Sequence, residues 1–474
     1  MDKEEFRRHA HKLVDWMADY IEKVESYPVM SRVKPKEIIN QLPIEPPQRG
    51  ESFEAIFKDF EEIIIPGITH WQHPSFHAYF PANNSPPSVL GEMLMAALGA
   101  QCMIWQTSPA ATELEEQVMR WLGKMIGLPP EFTGVIQDTA STSTLCSILT
   151  AREQLSNYEV NKNGLYKKEI FTAYSSQETH SSIEKDVKIA GLGKDNLRKV
   201  PVDENYAMRP EKLEEAIQRD IEEGYRPLCA VATLGTTGST AIDPLKKIGE
   251  ICRKYKIWLH VDAALAGTAL LLPEHRYMIK GIEYVDTFVF NPHKWMFSNF
   301  PCSAYFIRDP GALIRTFEIL PEYLKTKEDE RVNNYRDWGI PLGRRFRALK
   351  LWFVVRSYGI EGLQQIVRHH IQMTQDLAKK IEAAKNFELL APVPLNTVCF
   401  HYKPPNIKDL EQLNHLNATL LESLNRTGKL YMTHTKLNGV YTLRFVIGQT
   451  NVTQQHVDNG WKLIREMAHS LSEK

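Results

Sequence analysis

Residues 257–262 read Ile-Trp-Leu-His-Val-Asp, and residues 287–294 read Thr-Phe-Val-Phe-Asn-Pro-His-Lys. Each stretch is an apolar, β-branched run of strand length that ends in polar residues. Helical patterns separate these runs from one another. Alternation of strands and helices predicts crossover connections and a mostly parallel sheet, and therefore an α/β fold. Two further runs of the same kind occupy residues 169–174 and 227–233.

The polar residues at the strand ends are expected to meet at one edge of that sheet, where open α/β sheets bind their ligands. Asp262 ends one run, and Lys294 lies in the turn after another. Taken alone, the aspartate could cap a helix or bind Mg²⁺, and a loop lysine is usually solvated. However, Lys294 is flanked by aromatic and apolar residues, which lowers the pKa of its amine and makes it nucleophilic. Such a lysine suits a Schiff base with an aldehyde cofactor.

A pyridoxal 5′-phosphate site needs a carboxylate at the ring nitrogen, a phosphate cradle and a group over the ring face. Asp262 can supply the carboxylate. The hydroxyls and free N–H groups of Thr139, Ala140 and Ser141, at the start of a helical pattern, can bind a dianion. Simple N-capping is the alternative for that Ser/Thr run. His180 follows a strand end and could stack on the ring.

Composition excludes several other classes. The chain of 474 residues has 57 Lys+Arg against 58 Asp+Glu, so it lacks the positive surplus of a nucleic-acid-binding protein. Neither a run of 18 apolar residues nor a signal peptide occurs, so we expect no membrane association. The six cysteines form no C-x-x-C pair, which indicates reduced thiols in a cytoplasmic protein without a metal site. Walker, G-x-S-x-G and H-E-x-x-H motifs are absent.

Apolar residues from Phe6 to Val24 recur at helical spacing, and a proline-rich linker follows them. This helix either joins the core of its own chain or packs on a second subunit, and the pattern favours neither. We predict an N-terminal helical arm over residues 1–84 that packs on the partner, a large cofactor-binding α/β domain over 85–351, and a small C-terminal α+β domain over 352–474.

Six motifs stand out along the chain: His-Pro-x-Phe-x-x-Tyr-Phe-Pro (73–81), Gly-Val-Ile-Gln-Asp-Thr-Ala-Ser (134–141), His-Ser-Ser (180–182), His-Val-Asp-Ala-Ala (260–264), Asn-Pro-His-Lys-Trp (291–295) and Tyr-Arg-x-Trp-x-Ile-Pro-Leu-Gly-Arg-Arg (335–345). Taken in order, they resemble those of the group II pyridoxal-phosphate-dependent decarboxylases, and the aromatic-L-amino-acid decarboxylases most closely. The resemblance implies the aspartate-aminotransferase-like fold (fold type I), with a mostly parallel central sheet and a smaller C-terminal α+β domain. It also implies a homodimer with active sites at the subunit interface.

The resemblance also assigns catalytic roles. Lys294 carries the cofactor as a Schiff base, Asp262 pairs with its ring nitrogen, and His180 stacks on the ring. Tyr323 matches the tyrosine that protonates Cα after CO₂ has left. The remaining cofactor contacts implied are Thr139, Ala140, Ser141, Asn291 and His293 on the phosphate side, with Thr237 and Ala264 flanking the cofactor.

The expected substrate is an aromatic L-amino acid: tryptophan, 5-hydroxytryptophan, tyrosine, DOPA or phenylalanine. Aromatic walls suit an indole or phenyl ring. An oxygen-dependent aldehyde synthase is one alternative, although those relatives carry phenylalanine in place of Tyr323; a histidine decarboxylase is another. Substrate contacts are expected from His180, Trp71, Tyr79, Phe80, Pro81, Met103 and Gly343, the last matching a small residue of indole-accepting relatives.

Overall fold

The computed structural model describes residues 1–165, 169–319 and 331–472, which form two compact units. One unit comprises residues 1–81, 376–390 and 399–474, and the other comprises 82–375 and 391–398. Among these described residues, no helix has the length and apolar character needed to cross a bilayer.

The larger unit contains the predicted sheet. Its seven strands run in the order β2-β8-β7-β6-β5-β3-β4, and β8 alone is antiparallel to both of its neighbours. The α/β fold with a mostly parallel sheet is therefore confirmed, and all four predicted strands are present. The strands are β1 (Phe76–His77), β2 (Thr133–Gln137), β3 (Phe171–Ser176), β4 (Leu197–Val200), β5 (Arg226–Thr233), β6 (Trp258–Asp262), β7 (Thr287–Phe290), β8 (Ser303–Ile307), β9 (Phe387–Leu389), β10 (Thr397–Tyr402), β11 (Tyr431–Leu437) and β12 (Val440–Val446).

Helices cover the sheet because parallel strands require crossover connections. Residues of β3, β5 and β7 are almost all buried, which explains why these strands read as continuous apolar runs. The helices are α1 (Lys3–Lys23), α2 (Phe53–Asp59), α3 (Pro86–Leu98), α4 (Pro109–Ile126), α5 (Ala140–Leu155), α6 (Glu159–Asn163), α7 (Ser182–Ile189), α8 (Pro210–Glu222), α9 (Leu245–Tyr255), α10 (Pro292–Trp295), α11 (Pro310–Phe317), α12 (Arg347–Glu382), α13 (Leu410–Arg426) and α14 (Gln454–Ser472).

The smaller unit contains a five-stranded sheet in the order β1-β11-β12-β10-β9. The α+β character predicted for the last third of the chain agrees with its strands and with α13 and α14. The two long helical runs predicted before them are present as two helices within α12, separated by a kink at Gly359. Gly359 has φ +64°, a conformation that favours glycine and breaks the helical path.

Candidate active site

Asp262 lies at the carboxyl end of β6, in the middle of the large sheet. Its Cα pairs with Thr233 of β5 on one side and Val289 of β7 on the other. The side chain is buried, and its Oδ1 accepts a hydrogen bond from the backbone N–H of Ala264 at 3.0 Å. This bond fixes the direction of the carboxylate at the edge where ligands bind in such sheets.

Lys294 lies on α10, four residues after the end of β7 at the same edge of the sheet. The side chain is half-buried. Asn83 donates its side-chain Nδ2–H to the backbone oxygen of Lys294 at 2.7 Å, and its backbone N–H to the oxygen of His293 at 3.1 Å. Nothing in the sequence marks Asn83 as part of the site, because its partners are backbone oxygens far away along the chain.

His180 follows β3 and stands directly before α7. The backbone N–H of Ser182 donates to its Nδ1 at 3.1 Å. A backbone N–H can only donate, so Nδ1 accepts and the neutral ring carries its proton on Nε2. Burial lowers the pKa of His180, the charge of Lys294 lowers it further, and Asp262 opposes the shift. Since burial is the main cause of the lowered pKa and the charge of Lys294 adds to it, the imidazole is neutral at neutral pH.

The start of α5 follows β2, which is a strand of the same seven-stranded sheet. Thr139 is the N-cap, and its Oγ1 accepts from the backbone N–H of Thr142 at 3.2 Å. Ala140 and Ser141 occupy the first two helical positions, whose N–H groups have no partner within a helix. The alternative of N-capping for this Ser/Thr run is thus confirmed, and the N–H groups of Ala140 and Ser141 at the helix start are still suited to binding an anion.

Two residues predicted on the phosphate side, Asn291 and His293, are buried around α10. The Oγ–H of Ser303 donates to Oδ1 of Asn291 at 2.5 Å. Burial lowers the pKa of His293 to about 3, with a contribution from the charge of Lys294. Thr237 is half-buried in the turn that follows β5. This turn and α10 both follow strands of the large sheet at its ligand-binding edge.

Taken together, these side chains fit pyridoxal phosphate. A buried carboxylate, a half-buried amine, a neutral imidazole and a helix start with free N–H groups are the donor set that this cofactor requires. The fit rests on the chemistry and placement of Asp262, Lys294, His180 and the start of α5.

A family model described as "Pyridoxal-dependent decarboxylase conserved domain" matches residues 35–403. The chain belongs to the pyridoxal-dependent decarboxylase family. It is therefore a carboxy-lyase that uses pyridoxal phosphate, as the sequence analysis predicted. When bound, this cofactor supplies an aldehyde that combines with amines and a protonated ring that withdraws electrons from the substrate.

The chain is similar over almost its full length to curated and solved members of this family. Tyrosine decarboxylase 4 from Petroselinum crispum is 42% identical, covering 99% of this chain and 94% of that protein. A phenylacetaldehyde synthase from Arabidopsis thaliana is 43% identical, covering 100% and 98%. The crystal structure of Catharanthus roseus tryptophan decarboxylase in complex with L-tryptophan is 39% identical, with a TM-score of 0.94 and 99% of each chain covered.

Four of the predicted substrate residues of this decarboxylase belong to the smaller unit. Trp71 and Tyr79 stack with ring centroids 5.7 Å apart, and both are partly exposed. Tyr79 has φ +52°, an uncommon backbone conformation for a bulky residue, and its hydroxyl lies 3.2 Å from that of Tyr431. Phe80 and Pro81 are buried, and the Arg444 guanidinium lies over the Phe80 ring.

The other three predicted substrate residues belong to the larger unit: His180, described above, and Met103 and Gly343, which lie on adjacent segments. The backbone N–H of Cys102 donates to the oxygen of Arg344 at 3.0 Å. A Cβ on Gly343 would lie 3.1 Å from Nε2 of Gln101, so the absence of a side chain leaves room beside that amide. Gly343 and Gln101 line a cavity of about 370 Å³.

Tyr323 lies outside the described residues, so its predicted role remains a prediction.

The structure also reveals a supporting residue, Asp243, that nothing in the sequence marks. Asp243 is buried and accepts backbone N–H bonds from Thr233 and Met208, each at 2.7 Å. Thr233 pairs with Asp262 and contacts the hydroxyl of Thr179, the neighbour of His180. Asp243 thus fixes the strand end beside the site.

Proposed function

We propose that this protein decarboxylates an aromatic L-amino acid to the corresponding amine and CO₂. The observation that carries the proposal is the grouping of Asp262, Lys294 and His180 at one sheet edge beside the start of α5. Decarboxylation needs an amine-binding aldehyde on an electron-withdrawing ring, and these residues are the groups that hold such a cofactor in place.

Each residue has a distinct task in this proposal. The Lys294 amine would hold the cofactor through its aldehyde and would give way to the substrate amine. The Asp262 carboxylate would keep a proton on the ring nitrogen of the bound cofactor, which would maintain the ring as an electron acceptor. His180 presents Nε2–H at the site and can relay a proton. Tyr323 delivers the proton to Cα after CO₂ has left.

On the phosphate side, the N–H groups of Ala140 and Ser141 bind the dianion together with the Thr139 hydroxyl. Asn291 and His293 complete this side of the site. Thr237 and Ala264 flank the cofactor. These assignments are supported by the position of each residue at a strand end or helix start, and by the resemblance of the surrounding motifs to the family's.

The aromatic substrate class is supported by the printed activities of the relatives, which include tyrosine and tryptophan decarboxylases. Aromatic side chains are the natural partners of phenyl and indole rings. We propose that Trp71, Tyr79, Phe80 and Pro81 contribute such contacts. Met103 and Gly343 leave space for a larger ring, so tryptophan and 5-hydroxytryptophan are included among the candidates with tyrosine, DOPA and phenylalanine.

A second candidate is an oxygen-dependent aldehyde synthase, because a phenylacetaldehyde synthase is among the relatives at 43% identity. Turnover of the aromatic amino acids and of histidine, with amine, CO₂, aldehyde, ammonia and peroxide all measured, separates the two. We expect amine and CO₂ in equal amounts without peroxide. Aldehyde formed together with peroxide would contradict the decarboxylase proposal, and turnover of histidine alone would contradict the aromatic substrate.

The same assay tests Tyr323. In the Tyr323→Phe variant we expect the product to shift from amine toward aldehyde and peroxide, because the acid that protonates Cα is lost while CO₂ release continues. Unchanged amine formation at the parental rate would show that another group is the acid. That outcome would leave the decarboxylase proposal intact.

We propose that the protein is a homodimer. Leu90, Leu94 and Leu98 are spaced four residues apart on one face of α3, and all three are about half exposed or more. A contiguous apolar stripe of this kind is typical of an interface. Phe6, Val14 and Ile21 of α1 are also exposed, which supports an N-terminal arm over residues 1–84 that packs on the partner. The six cysteines are buried thiols, which supports a cytoplasmic location.

Sedimentation velocity tests the dimer. Leu98→Glu should yield monomers, because it places a charge in the apolar stripe. Ile189→Glu is a matched control, since Ile189 on α7 is as exposed as Leu98, at 61% against 63%. A monomeric parent protein, or equal effects of the two substitutions on the sedimentation coefficient, would contradict an interface at α3.

A further inference from the structure

Asn83 makes two hydrogen bonds to the backbone of the segment that carries the reactive lysine. Its Nδ2–H donates to the Lys294 oxygen at 2.7 Å, and its backbone N–H donates to the His293 oxygen at 3.1 Å. Asn83 itself is 2% exposed. Both bonds therefore lie where water is scarce, and losing a partner there costs the desolvation of the remaining group.

The segment requires such support because α10 has only four residues. A single helical turn does not hold itself together, and its last carbonyl groups have no partner inside the helix. The carbonyl groups of His293 and Lys294 belong to that set. Phe297, three residues further on, has φ +57°, which is costly for a bulky residue and persists only where neighbours enforce it.

Two serines close to Asn83 bind the rest of the loop, but not the lysine. The Ser85 hydroxyl donates to the Phe297 oxygen at 2.7 Å, and the Ser88 hydroxyl accepts from the Asn299 N–H at 2.7 Å. Of these three residues, Asn83 is the one whose hydrogen bonds reach the backbone oxygens of Lys294 and of His293, the residue before it. The serines hold the loop, whereas Asn83 sets where the Cα of Lys294 lies.

We propose that Asn83 is a positioning residue for Lys294, whose carboxamide N–H fixes the lysine backbone so that the amine meets the cofactor's aldehyde carbon. A lysine side chain has four rotatable bonds, so its amine is placed accurately only if its Cα is fixed. This inference rests on the proposed role of Lys294 as the attachment point. Reduction of the parental holoenzyme with borohydride, followed by peptide mapping, tests that role separately.

Asn83→Asp is the most informative variant. It keeps the shape of the side chain but replaces the donating amide by an oxygen that repels the Lys294 carbonyl. We expect the full-length apoprotein to bind pyridoxal phosphate more weakly and to attach it more slowly, by about tenfold or more in each case. The pH at which the absorbance of the attached cofactor changes should also shift. Asn83→Ala removes the donor without adding a charge, and it replaces Asn83→Asp in these measurements if that variant does not fold.

Ser88→Ala is the matched control, since it removes a hydrogen bond from the same segment to the same loop, and that bond is partly buried like the Asn83 amide bond. We expect it to lower the thermal midpoint of the apoprotein about as much as Asn83→Ala, while cofactor affinity and attachment rate stay within about twofold of the parent. Equal losses of cofactor affinity in both variants would show that Asn83 only stabilises the loop. Unchanged attachment rate and absorbance titration in Asn83→Asp and Asn83→Ala would also overturn the proposal.

Discussion

Lys294→Ala should eliminate decarboxylation, lowering kcat/KM by about 10³-fold or more. The reason is chemical: alanine cannot attach an aldehyde, whereas we propose that the half-buried amine of Lys294, whose charge also lowers the pKa of His180, does so. The measurement is amine formation from each aromatic amino acid, combined with borohydride reduction of the protein and mass analysis of its peptides. Reduced cofactor should be found on Lys294 in the parent and be missing from the variant.

Lys280→Ala is the control for this experiment. Lys280 is an exposed lysine of the same unit, so its loss should leave both the labelled peptide and the rate of amine formation unchanged. A Lys294→Ala protein that still acquires the reduced cofactor at a single lysine would show that the reactive amine lies elsewhere. In that case the assignments of Asp262 and His180 would also have to be revised, since they depend on the same site.

The parts of the site that sequence reasoning located are those that stand at the ends of strongly patterned elements. β6 and β7 are short, buried strands of a mostly parallel sheet, so they appear as continuous apolar runs, and the polar residue that ends each run is conspicuous. Asp262 and Lys294 are found in this way. The start of α5 is found for a similar reason, because a run of Ser and Thr before a helical pattern is a helix start.

Asn83 and Asp243 escape such reasoning because they bind backbone atoms. Asn83 binds carbonyl groups 210 or more residues away, and Asp243 binds the N–H groups of Met208 and Thr233. Backbone groups are the same at every position, so they leave no trace in the sequence. The β1–β11 pairing, which joins Phe76 to Tyr431, is equally invisible because neither strand specifies its partner.

Asp186 escaped notice for a third reason. It stands between Lys185 and Val187 on α7, near Glu184 and Lys188, in a stretch that reads as the solvated face of a helix. The structure instead buries it, leaving the residue 2% exposed. Within the described part of the chain, no hydrogen-bond partner reaches its Oδ2. Burial raises the pKa of Asp186 to about 7, the charge of Asp262 adds to this, and Lys185 opposes it.

Asp186→Asn should therefore stabilise the apoprotein relative to the parent, and this gain should be larger at pH 8 than at pH 5. The carboxyl pKa is about 7 in the folded protein and near 3.8 when unfolded, so the folded state binds more protons between these values. Stability of the parent then falls as pH rises from about 4 to about 7, and the full penalty remains above pH 7. Asparagine does not titrate, so the variant escapes a loss of about 2 to 4 kcal/mol in the free energy of unfolding.

Urea unfolding of parent and variant at several values between pH 5 and pH 8 measures this difference. Asp220→Asn is the matched control, because Asp220 is equally buried but is bound by the side chains of Arg198 and Tyr174. The substitution would leave the Arg198 guanidinium without its ion-pair partner, so it should destabilise the protein throughout the range from pH 5 to pH 8. A constant difference between the Asp186→Asn variant and its parent across the pH range would mean that Asp186 does not change its protonation on folding.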